Sequence, residues 1–192
     1  CRFDYLCIAS HKGLYAPMGT GILVTPHGAS LATLIEGGTG TASISLDQPE
    51  TMPDRLESGT VNVPGIAGIR AGIRFVKSKG IERIYRHELG LVQALYRSLS
   101  QMEAIQLYTP EPVEPYFAPV LSFNVKDVSS ETVAQKLNTA GIAVRAGLHC
   151  APRAHESFGT LEQGAVRVCP SAFNNMNEIR VFSNTIMKFH RK

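Results

Sequence analysis

Beyond Pro64 the apolar residues keep changing their period, and that alternation limits the chain to a layered fold of helices packed on strands. Ile66, Ile69, Ile73 and Val76 recur at helical spacing, and Gly80 ends the run. A second helix is predicted from Ile81 to about Gln101, with Ile84, Leu91, Leu95 and Leu99 on one face. After it come a strand over 120–125, a helix over 130–139 stopped by Gly141, and strands over 142–145 and 165–168. The last helix carries Ile179, Phe182, Ile186 and Phe189 as its inward stripe. Asn175 and Glu178 can cap its first turn reciprocally. From about residue 77 onward this is the pattern of a layered α/β or α+β domain.

The first third is organised differently. A strand-length apolar run over 3–9 ends abruptly at Ser10-His11-Lys12-Gly13, and a second strand, Ile22-Leu23-Val24, is stopped by Pro26 and Gly28. Residues 36–64 hold mostly turn formers, and so long an irregular stretch is usually functional. Four prolines within 109–119 make that segment an irregular connection too.

Composition narrows the class. With 44% hydrophobic and 18% charged residues over 192 positions, the chain is neither disordered nor of low complexity. No apolar run reaches the ~20 residues of a membrane span, and Arg2 and Asp4 spoil a signal peptide at the start. A net charge of +3 is too weak to imply nucleic acid, and the basic end over 188–192 reads as solvated. Cys1, Cys7, Cys150 and Cys169 form no CxxC pair, which predicts free thiols and a reducing, cytoplasmic setting. The chain opens on Cys1 and runs straight into strand-like sequence, so it reads as part of something longer.

Four features could carry chemistry. Lys12 follows His11 at the end of an apolar strand, a setting in which Schiff-base chemistry becomes feasible, although a plain surface lysine fits the same pattern. Cys150 lies in RAGLHCAPRAH among Arg145, His149, Arg153 and His155, the cationic, exposed surroundings of a nucleophilic cysteine. His149, Cys150, His155 and Cys169 are also conceivable zinc ligands, but their spacing matches no closed site. Arg167 sits in an apolar strand, where a guanidinium needs an anion, either a bound carboxylate or a structural acid. The turns at 37–40 and 58–60 offer small residues suited to a phosphate.

In this order the features closely resemble the pyridoxal-phosphate-dependent class V aminotransferases, nearest to the cysteine desulfurase and selenocysteine lyase family. SHKGLYAPMGTGILV is similar to that family's cofactor-lysine segment, and DRLESGTVNVPGIAGIRAGI to its phosphate-contact segment and following helix. RAGLHCAP and GAVRVCPSAFNNMNEI are similar to its active-cysteine loop and substrate-arginine strand. The resemblance implies fold type I of the pyridoxal-phosphate enzymes, in its C-terminal part: a remnant of the large-domain sheet over 1–76, then the small α+β domain over 77–192. It implies that Lys12 forms the imine with pyridoxal 5'-phosphate and later moves protons at the substrate carbon. His11 would lie against the cofactor phosphate. Thr60 would reach the phosphate of the other subunit's cofactor, and Gly38 and Thr39 would line that neighbouring site, which makes a homodimer the expected assembly. Arg167 would hold the substrate carboxylate, with Arg145 in support, and Cys150 would take sulfur from L-cysteine, or selenium from selenocysteine. No metal is implied, and a sulfur-acceptor protein is an open partner. Ser10 stands where the family usually has glycine, and Cys169 where serine is common. The half that precedes the lysine in that family is absent, so these residues alone are expected to turn over nothing. The alternatives are a selenocysteine lyase, another class V aminotransferase, and a non-catalytic dimerisation or sulfur-carrier domain.

Overall fold

The computed structural model describes residues 2–115 and 117–189. Cys1, Tyr116 of the proline-rich connection, and His190, Arg191 and Lys192 of the basic end lie outside the described residues. The chain divides into two compact units, Cys1–Lys79 and Gly80–Lys192.

In the first unit β1 (Leu6–Ala9) pairs antiparallel with β2 (Gly21–Val24), Leu6 opposite Val24 and Ala9 opposite Gly21. Residues 25–62 are turns, with two single-turn 3-10 helices at Gly28–Ser30 and Asp54–Leu56. They lead into α1 (Val63–Lys79). The isoleucine stripe expected to face inward on α1 does not. Ile66 and Ile73 are exposed, and of the four expected residues only Ile69 is buried. The buried face is built on Gly65 and Gly72 instead. A Cβ on Gly65, Gly68 or Gly72 would strike Thr20, Pro17 or Leu14 respectively, so bare backbone lets the helix lie against 14–20. Periodicity scores side chains, and a face made by their absence gives it no signal.

The second unit is an antiparallel sheet in the order β3-β4-β5, formed by Ile105–Leu107, Leu121–Val125 and Val166–Val168. It has helices on one face: α2 (Ile81–Leu99), α3 (Ser130–Thr139) and α5 (Met176–Lys188). Strand side chains alternate between faces. Leu121, Phe123 and Val125 of β4 therefore join Leu91, Val92, Leu95 and Leu99 of α2, Val133 and Leu137 of α3, and Ile179, Phe182 and Ile186 of α5 in one core. Phe123 meets Phe182 edge to face at 6.1 Å. Ser129 caps α3 by accepting from the Thr132 N–H. The Asn175–Glu178 capping box forms at α5 as its spacing requires.

No strand forms over 142–145. Ile142 and Val144 pack on the core from irregular backbone, and only Arg145 makes a bridge, to Arg167. The unexpected elements are short: β3, with three residues, and α4 (Pro152–Ser157), with proline in its first turn.

Candidate functional site

In β5 Val166 is buried toward the helices, and the two-residue alternation turns Arg167 to the opposite face, directly across from Ser122. That face opens on a cavity of about 420 Å³ whose walls include Tyr108, Phe117, Phe158, His149 and His155, with Arg167 beside them. The buried Asn124 amide fixes part of the wall, donating to Tyr108 Oη at 3.2 Å and to the Gly164 carbonyl at 2.8 Å.

Arg167 is joined to the Cys150 loop by backbone. Its N–H donates to the Arg145 carbonyl at 2.7 Å, and the Arg145 N–H returns a bond to its carbonyl at 3.2 Å. Gly164 lets the loop approach, because a Cβ there would lie 2.9 Å from Gly147 Cα. The Arg167 Nε–H is buried with no partner, and among the described residues no carboxylate pairs with either arginine. A half-buried guanidinium whose Nε–H is enclosed and left without an acid is suited to receive an anion. Cys150 itself is exposed, and both it and His149 stand at positive φ, 59° and 54°. Cys169, also a free thiol, accepts a hydrogen bond from Arg167; burial of its sulfur pushes that thiol up, against the pull of the guanidinium.

The His149 ring has its Nε2 3.0 Å from the Ala165 carbonyl. A carbonyl can only accept, so Nε2 carries the proton, and Nδ1 is buried without a partner. Burial chiefly, then the Arg167 charge, holds the ring below the ordinary 6.5; His155 and Arg145 push the same way, and the Ala165 bond opposes them. The unfolded chain therefore binds this proton at higher pH than the folded one. Stability present above about pH 6.5 falls on acidification, until the folded ring also protonates. An NMR titration should place the His149 ring below a peptide histidine, and His149→Gln should flatten that part of the stability–pH profile. A ring titrating at or above the peptide value would contradict this.

In the first unit His11 and Lys12 are exposed in the turn after β1, with the Lys12 N–H on the Ala9 carbonyl at 3.1 Å and its carbonyl accepting from Tyr15 N–H at 3.1 Å. Ser10 before them is fully buried, its hydroxyl unpartnered. The two small-residue turns meet each other: Ser58 Oγ donates to the Gly37 carbonyl at 3.1 Å, and a Cβ on Gly38 would lie 3.3 Å from Gly59 Cα. Thr39 Oγ1 accepts from the Ala42 N–H at 2.9 Å, and Thr60 is exposed. No hydrogen bond among the described residues links these turns to His11 or Lys12. The structure thus gathers Arg145, Arg167 and the Cys150 loop in one place and Gly38, Thr39 and the Thr60 turn in another. Tyr108, Ser122, Phe158 and Thr160 of the cavity were not foreseen, since only the cross-strand register shows them near Arg167. Among the described residues no three His, Cys, Asp or Glu side chains gather as a metal site. No helix there is long and apolar enough to cross a membrane.

A probable cysteine desulfurase of Methanothermobacter thermautotrophicus is 33% identical over 95% of this chain and 46% of its own length. The solved apo cysteine desulfurase of Thermococcus onnurineus superposes with a TM-score of 0.84 at 32% identity, over 97% of this chain and 46% of that one. A cysteine desulfurase of Escherichia coli shares the fold at a TM-score of 0.84 with 23% identity. The chain thus spans about half the length of the relatives it matches. With residues 1–182 matching the family described as Aminotransferase class-V, the chain belongs to the class V aminotransferases.

Proposed function

We propose that the protein carrying this chain is a pyridoxal-phosphate-dependent cysteine desulfurase that converts L-cysteine to L-alanine and leaves the sulfur on Cys150. The observation that carries this reading is the half-buried, acid-free Arg167, whose backbone is bonded to the loop of an exposed thiol. The relatives named cysteine desulfurases support it.

The donor set suits the cofactor. Lys12 offers an exposed primary amine for an aldehyde, and His11 and Thr60 offer a ring and a hydroxyl for the rest of the molecule, Thr60 toward the cofactor of a second copy. Bound pyridoxal phosphate would supply the electron sink for the pair that stays on carbon when the C–S bond breaks. Arg167 grips the substrate α-carboxylate through paired N–H groups, with Arg145 steadying its strand. The Lys12 amine takes the proton from the substrate α-carbon and returns protons to the carbon framework. Cys150 sulfur attacks the substrate sulfur: one S–S bond forms, the C–S bond breaks, and its electron pair remains with carbon, which is then protonated as alanine.

In this reading residues 1–76 belong to the large cofactor domain and 77–192 to the small one, and the enzyme is a cytoplasmic homodimer. Leu34, Ile44 and Leu46, which flank Gly38 and Thr39, are almost wholly exposed and Ile35 largely so, as a surface covered by a second copy would be. The test is to incubate the purified protein with L-cysteine, measure alanine, and look for one added sulfur on the Cys150 peptide by mass spectrometry. Cys150→Ser should abolish both. Loss of cysteine turnover with selenocysteine turnover retained would make it a selenocysteine lyase, and undiminished alanine from Cys150→Ser would refute the role of the thiol.

A further inference from the structure

We propose that His149 is the latch that positions Cys150, fastening its loop to the strand of Arg167 through one N–H bond made from a ring set against buried His155. The fastening is two-sided. Ala165 donates its N–H to the Gly147 carbonyl at 3.1 Å, while its own carbonyl accepts from His149 Nε2 at 3.0 Å, so one residue of the lead into β5 grips the loop at both 147 and 149. Two positions further on is Arg167, and one position past the latch is Cys150. The thiol and the anion receptor are therefore held to the same short backbone segment.

The ring is also supported from behind. His155 lies 5.5 Å away at a 44° tilt and is 7% exposed, and its Nδ1 is 2.8 Å from the hydroxyl of Thr160, itself 3% exposed. That tilted contact limits where the His149 plane can lie. Two successive non-glycine residues at positive φ, His149 and Cys150, persist only where the surroundings dictate them. The latch, the Gly147 bond and the tilted His155 ring are those surroundings. Nε2–H is directed at a carbonyl, and the ring's one lone pair, on Nδ1, is enclosed without a partner. His149 acts through Cys150, as a positioning residue.

The catalytic consequence rests on the reading of Cys150 as the sulfur acceptor, but the fastening does not. The experiment compares His149→Leu, which fills the space without an N–H, with His149→Gln, which can still donate, in the complete protein. Amide hydrogen exchange over 147–151 should quicken about tenfold in His149→Leu, the worth of one hydrogen bond, and return to the parent rate in His149→Gln. Alanine formation should lose a similar factor in kcat with KM for cysteine unchanged, because Arg167 still holds the carboxylate, and His149→Gln should recover it. Unchanged exchange in His149→Leu, failure of His149→Gln to restore it, or a rise in KM that accounts for the whole loss would each overturn the latch. If the protein makes no alanine yet exchange follows this pattern, the latch stands and the desulfurase reading falls.

Discussion

Lys12→Ala in the protein carrying this chain should remove the covalent attachment of the cofactor and lower cysteine turnover by about 10²–10⁴-fold, the range for losing a positioned acid–base group. The side chain is exposed at the end of β1 and, among the described residues, has no ion-pair partner. Nothing structural depends on its charge, so the denaturation midpoint should move by no more than about 0.5 kcal/mol. Stability and chemistry separate cleanly here. The turn that presents Lys12 is set by main-chain bonds, Lys12 N–H to the Ala9 carbonyl and Tyr15 N–H to the Lys12 carbonyl, which alanine leaves in place. Lys12→Arg should not rescue activity, because a guanidinium is neither a nucleophilic amine nor a proton acceptor near neutrality. Borohydride reduction followed by peptide mapping is the check: the parent protein should carry the pyridoxyl group on the Lys12 peptide and the variant should carry none. A label on another lysine would move the cofactor site elsewhere in the protein.

The elements legible in the sequence were those that announce their own ends. Residues 130–139 are stopped by Gly141, and 176–188 begin at a reciprocal Asn–Glu box, so local chemistry suffices to place both helices. Elements defined by distant partners were not legible. Residues 142–145 have the composition of a strand, but whether they join a ladder depends on backbone more than twenty positions away, and only the Arg145–Arg167 bridge forms. Within the candidate site, Cys150, Arg145 and Arg167 could be singled out by residue type. That the two arginines exchange backbone bonds, and that His149 is tied to Ala165, are long-range facts with no local signature. The paired histidines of RAGLHCAPRAH were visible only as cationic neighbours of Cys150 or as possible metal ligands. The fixed tautomer of one and the buried hydroxyl partner of the other turn them into packing and positioning groups.

Gly72→Ala should destabilise the first unit by about 3 kcal/mol, the upper end for overpacking a tight contact. The added Cβ would lie 1.8 Å from the Leu14 carbonyl oxygen and 3.0 Å from its carbon. Both are main-chain atoms, so no side-chain rotation can relieve the clash and either α1 or the 14–16 backbone must shift. Alanine is the better helix former by about 1 kcal/mol, which offsets only part of this. Gly90 in α2 supplies the contrast: a Cβ there meets nothing within 4 Å, so Gly90→Ala should be neutral or stabilising by up to about 1 kcal/mol. The backbone displaced at Gly72 continues directly into the turn of Lys12, since Tyr15 N–H bonds the Lys12 carbonyl and Ala16 N–H bonds that of Ser10. Tyr15 also packs edge-on against Phe75 of α1 at 5.3 Å, a second tie between helix and turn. Gly72→Ala should therefore weaken cofactor retention as well as stability, whereas Lys12→Ala should affect retention and turnover but not stability. Denaturant titrations of the three variants, read beside cofactor absorbance, test the coupling. A Gly72→Ala protein as stable as its parent would mean that α1 does not press its glycine face on the lysine turn.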